Sequence, residues 1–197
     1  MDIQEHKLNM SFNYLVILAM LIALGVAGRL LPHPPNFTPM AAIALFAGFI
    51  FLKRYMAVIA VVVTMFLTDY FAFGYLSAEW FASKSMWVVY LALLFPIVFK
   101  NFLQKKLGFY RVVSAALASS TVFFLATNFA VWAFSPMYEK TWSGFLLCYT
   151  MAIPFFQNTV AGDLIWSGTI FGTYYLIRNY SNLRILKQKN SLIYSSK

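Results

Sequence analysis

Six apolar segments of helical length, joined by connections that are basic only at every second turn, constrain this chain more than any other feature. The segments run roughly Phe12–Leu31, Pro39–Leu52, Tyr55–Gly74, Ser85–Leu103, Val112–Phe134 and, last, from about Pro154 to Ile177. Lys7 precedes the first. Lys53 and Arg54 lie between the second and third, Lys100, Lys105, Lys106 and Arg111 near or between the fourth and fifth, and Arg178, Arg184, Lys187, Lys189 and Lys197 after the last. Of 15 Lys and Arg residues only Arg29, Lys84 and Lys140 fall on the other side. Cytoplasmic connections of membrane proteins collect basic residues, so the pattern predicts six transmembrane helices with both termini cytoplasmic. An odd number of spans would scramble the alternation.

Composition agrees and closes other routes. A chain of 197 residues that is 61% hydrophobic and 11% charged reads as an integral membrane protein, all-α, with one six-helix domain over 1–180 and a basic cytoplasmic tail over 181–197. Its net charge of +9 resides in connections and tail, which makes it a topology signal and an anionic-lipid contact; no nucleic-acid partner is expected. One cysteine, Cys148, excludes an internal disulfide and a cysteine-rich metal site, and no metal or cofactor is expected. The lead region is nearly neutral, Asp2 and Glu5 against Lys7, which favours a retained first helix over a cleaved signal peptide.

Between the first two segments the stretch RLLPHPPNFTPMAAIALFAG, Arg29–Gly48, departs from ordinary membrane helix. Thr38 suits an N-cap and Pro39 the first helical position, so a helix is expected to start there. It must end at Lys53, and its fourteen residues reach only ~21 Å against a hydrocarbon core of ~30 Å. The loop 33–38 is therefore expected below the membrane surface, where irregular backbone needs protein or a watery cavity to cover it. His33 and Asn36 become candidate ligand contacts.

Once the orientation is set, the polar residues of the spans share a depth. From the helical rise, Asp69 lies ~7.5 Å, Asn128 ~9 Å and Asp163 ~13 Å inside the outer ends of their helices, with Arg29 near the outer end of the first. An ionised group in hydrocarbon costs about 2.5–3.5 kcal/mol, so each must face protein or water. Either Arg29 simply pairs with one Asp to bolt helices together, or the four line a pocket; the shared level favours the pocket. Aromatic residues at the same level, among them Phe37, Tyr70, Trp132, Phe155, Phe156 and Trp166, suit a flat heteroaromatic ligand. In the stretch Thr141–Gly172, Pro154 is expected to break the chain into an extracellular or re-entrant segment, Trp142–Ile153, and the final helix, with Gln157 and Asn158 as further contacts. On the first helix Ala19, Ala23 and Ala27 recur every fourth residue and leave a smooth strip for close approach of another helix.

The runs RLLPHPPNFTPMAAIALFAG, TDYFAFG, FFLATNFAVW and SGFLLCYTMAIPFFQNTVAGDLIW resemble an uncharacterised family of bacterial inner-membrane proteins allied to the substrate-binding S components of energy-coupling-factor (ECF) vitamin transporters. The resemblance covers roughly Arg29 to Gly172. It implies a multi-pass six-helix bundle of the inner membrane with a pocket near the outer face. It also implies a vitamin-like solute and an alanine strip, here Ala19, Ala23 and Ala27, that docks on a transmembrane coupling subunit served by ATPases. No GxxxxGK[ST] motif occurs, so the chain itself supplies no ATP hydrolysis. Two alternatives stand beside this reading: a proton-coupled carrier titrating at Asp69 or Asp163, and an intramembrane hydrolase using both as an aspartyl pair. With only His6 and His33, and neither HExxH nor GxSxG, other hydrolase schemes lack their parts, and no enzyme activity is expected.

Overall fold

The computed structural model describes residues 3–73 and 81–195, with side chains over 13–72 and 81–180. All regular structure among the described residues is helical: α1 (Ile3–Leu30), α2 (Met40–Ile50), α3 (Arg54–Phe73), α4 (Lys84–Leu94), a 3₁₀ turn (Phe95–Phe99), α5 (Lys100–Lys105), α6 (Phe109–Phe134) and α7 (Trp142–Ser195). Windows in four helical rods are long and apolar enough to cross a membrane: Asn13–Leu30, Arg54–Ala72, Lys84–Lys105 and Phe109–Phe134. The third of these joins α4, the 3₁₀ turn and α5. Pro96 explains the tightened middle, because its ring has no N–H for the α-helical bond and crowds the carbonyl one turn back.

The post at the centre is α2. Its 11 residues are apolar on every side, and Met40 to Gly48 are all buried, as a helix without a polar face must be. Its alanines and Gly48 keep it thin. A Cβ on Gly48 would stand 3.3 Å from the Ile97 Cα, so the 3₁₀ turn rests on bare α2 backbone. Phe46 and Phe49 meet Phe171 and Tyr174 of α7 at centroid distances of 5.3–5.7 Å, most of them edge-on. The core grows outward from this post: Met40, Ile43 and Leu45 pack with Val61 and Met65 of α3, Leu93 and Ile97 of the third rod, and Ala115 and Ala116 of α6. A helix buried at its C-terminal end needs partners for its last carbonyls. Gln104 Nε2 supplies one, donating to the Phe49 oxygen at 2.7 Å, and buried Lys100 donates from Nζ to the oxygens of Phe51, the C-cap, at 2.8 Å and Leu52, one residue beyond, at 2.5 Å. The lysine charge also opposes the negative end of the helix dipole.

Two expectations about this region change. Pro39 occupies the N-cap of α2 rather than its first turn, no side chain caps that end, and the helix closes at Ile50, about 16 Å long. The larger change is in α7: Pro154 does not end a segment but lies inside one continuous helix of 54 residues. A proline in a helix interior costs about 3 kcal/mol. The turns before it are held independently by α6, where Tyr149 OH donates to the Leu125 oxygen at 2.7 Å, Cys148 Sγ to the Asn128 oxygen at 3.4 Å, and the Phe145 ring meets Trp132. Residues 142–153 are thus helical and continuous with the rest of α7 rather than a separate segment ended by Pro154. The side chains of the tail, 181–197, lie outside the described residues.

Helix α1 stands at the edge. Only 11% of its apolar window is buried, and Ala19, Ala23 and Ala27 are all exposed. Its inner face is set by glycine: a Cβ on Gly25 would fall 2.6 Å from Thr64 Cγ2, so the Thr64 side chain of α3 packs on bare α1 backbone there.

Candidate functional site

The loop 31–39 is built by its prolines. Phe37 N–H donates to the Pro34 oxygen at 3.0 Å across a turn with Pro35 at its first central position and Asn36, at φ 65°, at its second. That is the type II arrangement, in which proline presets one angle and asparagine tolerates the left-handed one. The turn lies against α7, where Gly162 lets it in: a Cβ there would stand 3.1 Å from the Phe37 Cα. Loop, α1 and α7 are so joined next to Asp163.

Arg29, one residue before the end of α1, reaches across to α3. Its Nη2 is 2.7 Å from Asp69 Oδ1, and Nη1 points at the Met65 sulfur at 2.6 Å. Asp69 is 1% exposed, and its other oxygen accepts from Tyr90 OH of α4 at 2.8 Å. A buried carboxylate demands such cover, since removing it from water is costly unless charge and hydrogen bonds replace the solvent. Three helices are locked by this one carboxylate. The neighbouring Thr64 and Thr68 hydroxyls return to carbonyls of their own helix.

Asp163 has a different environment. It is 4% exposed and accepts from Ser120 Oγ of α6 at 2.5 Å, and no cation pairs with it among the described residues.

Between these two carboxylates lies a cavity of about 500 Å³. Its walls come from every rod of the bundle. Arg29, His33, Asn36, Thr38 and Ala41 form one side, Met65 and Asp69 of α3 with Met86, Val89, Ala92, Leu93 and Pro96 of the third rod another. Ser119, Phe123, Phe124, Thr127, Asn128 and Val131 of α6 and Ala152, Phe155, Phe156, Thr159 and Asp163 of α7 complete it. Asn128 donates its amide to the Phe124 oxygen of its own helix at 2.7 Å. His33 directs its two ring nitrogens at the carbonyl oxygens of Pro34, 2.8 Å, and Arg29, 3.3 Å. The size and mix, mostly apolar with a few convergent polar groups, are those of a small-molecule site.

Of the residues singled out in the sequence, Arg29, His33, Asn36, Asp69, Asn128 and Asp163 come together on this wall, whereas Trp132, Gln157 and Asn158 do not. Trp132 instead ties the α6–α7 connection, donating Nε1 to the Glu139 oxygen at 3.0 Å while Lys140 caps the carbonyls at the end of α6. The inward stripe of α7 runs through Ala152, Phe156, Thr159 and Asp163, at helical spacing. Gln157, one position round from Phe156, is exposed, and Asn158 is half-buried away from the cavity. Tyr90 and Ser120 went unmarked in the sequence although each completes a carboxylate. A tyrosine and a serine pair in mid-span were the available signals, because a buried hydroxyl seeks a partner.

Long apolar helices packed around a cavity with charged and amide groups define a helical protein of membrane type. The sequence pattern of one family, described as "Family of unknown function (DUF6580)", matches residues 9–186, and the chain belongs to that family. No curated protein and no solved structure matches it.

Proposed function

We propose that this protein is a transport protein of the bacterial inner membrane. It binds a small vitamin-like solute in the cavity, from the outside, and passes it inward as a substrate-binding subunit of the ECF type. In this reading six helices cross the bilayer, α2 incompletely, both termini are cytoplasmic, and α7 extends well past the membrane: 54 residues measure ~80 Å against a ~30 Å hydrocarbon core. The exposed strip Ala19, Ala23 and Ala27 on the least buried rod is then the face offered to a transmembrane coupling subunit. The observation that carries the proposal is the convergence of Arg29, Asn36, Asp69, Asn128 and Asp163, from five separate parts of the chain, on one cavity of about 500 Å³. Groups so costly in a membrane are retained where a solute or ion uses them.

An aspartyl hydrolase draws less support. It needs two carboxyls close enough to share a proton, but both oxygens of Asp69 are engaged, by Arg29 and Tyr90, and Asp163 is held by Ser120. The proton-coupled carrier keeps one point in its favour, the uncompensated Asp163.

The test is purification of the full chain in mild detergent and mass spectrometry of what comes with it. The expected result is a small molecule at near-stoichiometric amount that is lost when Ala152→Trp fills the cavity in a protein that still elutes as a folded species. A solute retained by that variant, or none in the wild type, would overturn the proposal.

A further inference from the structure

Of the two aspartates on the cavity wall only one is paired with a cation among the described residues. Arg29 is committed to Asp69, and Asp69 in turn to Tyr90, so that triad is closed and contributes no net charge. His33 lies against the carbonyl oxygens of Pro34 and Arg29, and its tautomer decides which ring nitrogen donates. What is left is the carboxyl group of Asp163, 4% exposed, set in the wall, hydrogen-bonded by Ser120 and paired with no cation among the described residues. Around the same space stand four rings, Phe123, Phe124, Phe155 and Phe156, with Phe124 and Phe156 in contact at a centroid distance of 4.6 Å. A carboxylate beside aromatic faces is the surrounding that binds a positive charge, since ring quadrupoles attract cations and a buried carboxylate gains from a partner of opposite sign. An anionic solute would meet only the N–H groups of Arg29 that Asp69 leaves over, on a guanidinium whose charge that buried carboxylate already balances.

We infer that the occupant of the cavity is an organic monocation with an aromatic or other flat apolar body, its positive nitrogen against Asp163 and its body among the four phenylalanines. The inference rests on the solute-binding reading and narrows it: carboxylate and phosphate solutes are poorer occupants than a cation. Asp163 is a specificity-determining residue, and Ser120 positions its carboxylate. The apolar rings contribute to affinity for any flat solute, whereas Asp163 selects by charge.

Three probes share a ring system and differ in charge: tryptamine, a cation at neutral pH, tryptophol, neutral, and indole-3-propionate, an anion. They are titrated into the full-length protein in detergent, freed of co-purified solute, with binding read by saturation-transfer NMR. Tryptamine is expected to bind at least about tenfold tighter than tryptophol, with indole-3-propionate weakest. Asp163→Asn is expected to weaken tryptamine about thirtyfold or more, the loss typical when one partner of a buried charge pair is removed, and to leave tryptophol little changed. Equal or tighter binding of tryptophol or of the propionate overturns the charge assignment while leaving a solute-binding cavity. So does a folded Asp163→Asn protein that holds tryptamine as before. The wild-type ranking needs no variant and decides the matter even should Asp163→Asn not fold. If none of the three binds, the charge assignment falls, and the solute reading is judged separately by whether a small molecule co-purifies.

Discussion

Two buried aspartates on the wall of one cavity have opposite roles because of what other helices bring to them. Asp69 is clasped by a guanidinium and a phenol and fastens α1, α3 and α4 together, while Asp163 has only a serine. Breaking a buried ion pair by deleting one partner costs far more than replacing both with apolar groups, because the survivor keeps its desolvation penalty. Arg29→Met should therefore destabilise the protein by about 3 kcal/mol. The double variant Arg29→Met with Asp69→Leu should recover most of that loss, as measured by unfolding in detergent. A double variant as unstable as the single one would mean that the pair holds the fold by its geometry rather than by charge balance. The residue types were legible in the sequence: an Arg near one helix end and Asp residues in apolar runs could only be functional or paired. Which Asp took the Arg was not legible. Rise along a helix gives depth, but the pairing depends on the direction in which each side chain leaves its axis and on which helix stands opposite.

At the scale of the element, small residues decide how closely rods approach. Gly25 lets α3 lie against α1, and an added Cβ would stand 2.6 Å from Thr64 Cγ2 and 3.1 Å from Ile43 Cδ1. Gly25→Ala should accordingly cost about 1–3 kcal/mol through overpacking. Adding Thr64→Ser, which removes the clashing methyl, should return a good part of it in the same unfolding measurement. No return would place the strain at Ile43 Cδ1 or at the hydroxyl that serine keeps, 3.2 Å from the added Cβ. Helix boundaries were mostly read correctly where the pattern was long and unbroken, as for α3 and α6. The reading failed at Pro154, where a local rule met a tertiary one. A missing backbone bond predicts a break, yet the preceding three turns of α7 are fastened to α6 by Cys148, Tyr149 and Phe145 and stay helical. Once the helix runs through, its register turns Gln157 outward and Phe156, Thr159 and Asp163 inward.

For the whole molecule the decisive fact is that α2, too short to span a membrane, is the most completely buried helix, with the other rods gathered round it. The loop above it and the carboxylates beside it then bound a cavity rather than a plug. If α1 offers its alanine strip to a coupling subunit, Ala19→Trp should leave solute retention in the isolated protein unchanged. Uptake into cells should fall severalfold or more, checked by mass spectrometry on one side and transport of the identified solute on the other. Parallel losses of retention and uptake would place the strip in the protein's own packing.

Taken alone, the amino-acid sequence determined that this chain folds as apolar helices and where most of them begin and end, because these follow from local hydrophobicity and charge along the chain. Only the tertiary structure decided that Arg29 belongs to Asp69, that Lys100 closes the end of α2, that α7 passes through its proline, and that Asp163 is left facing open space. Each of those depends on the rotation of one helix about its axis relative to its neighbours, which is set by packing between segments distant in the chain.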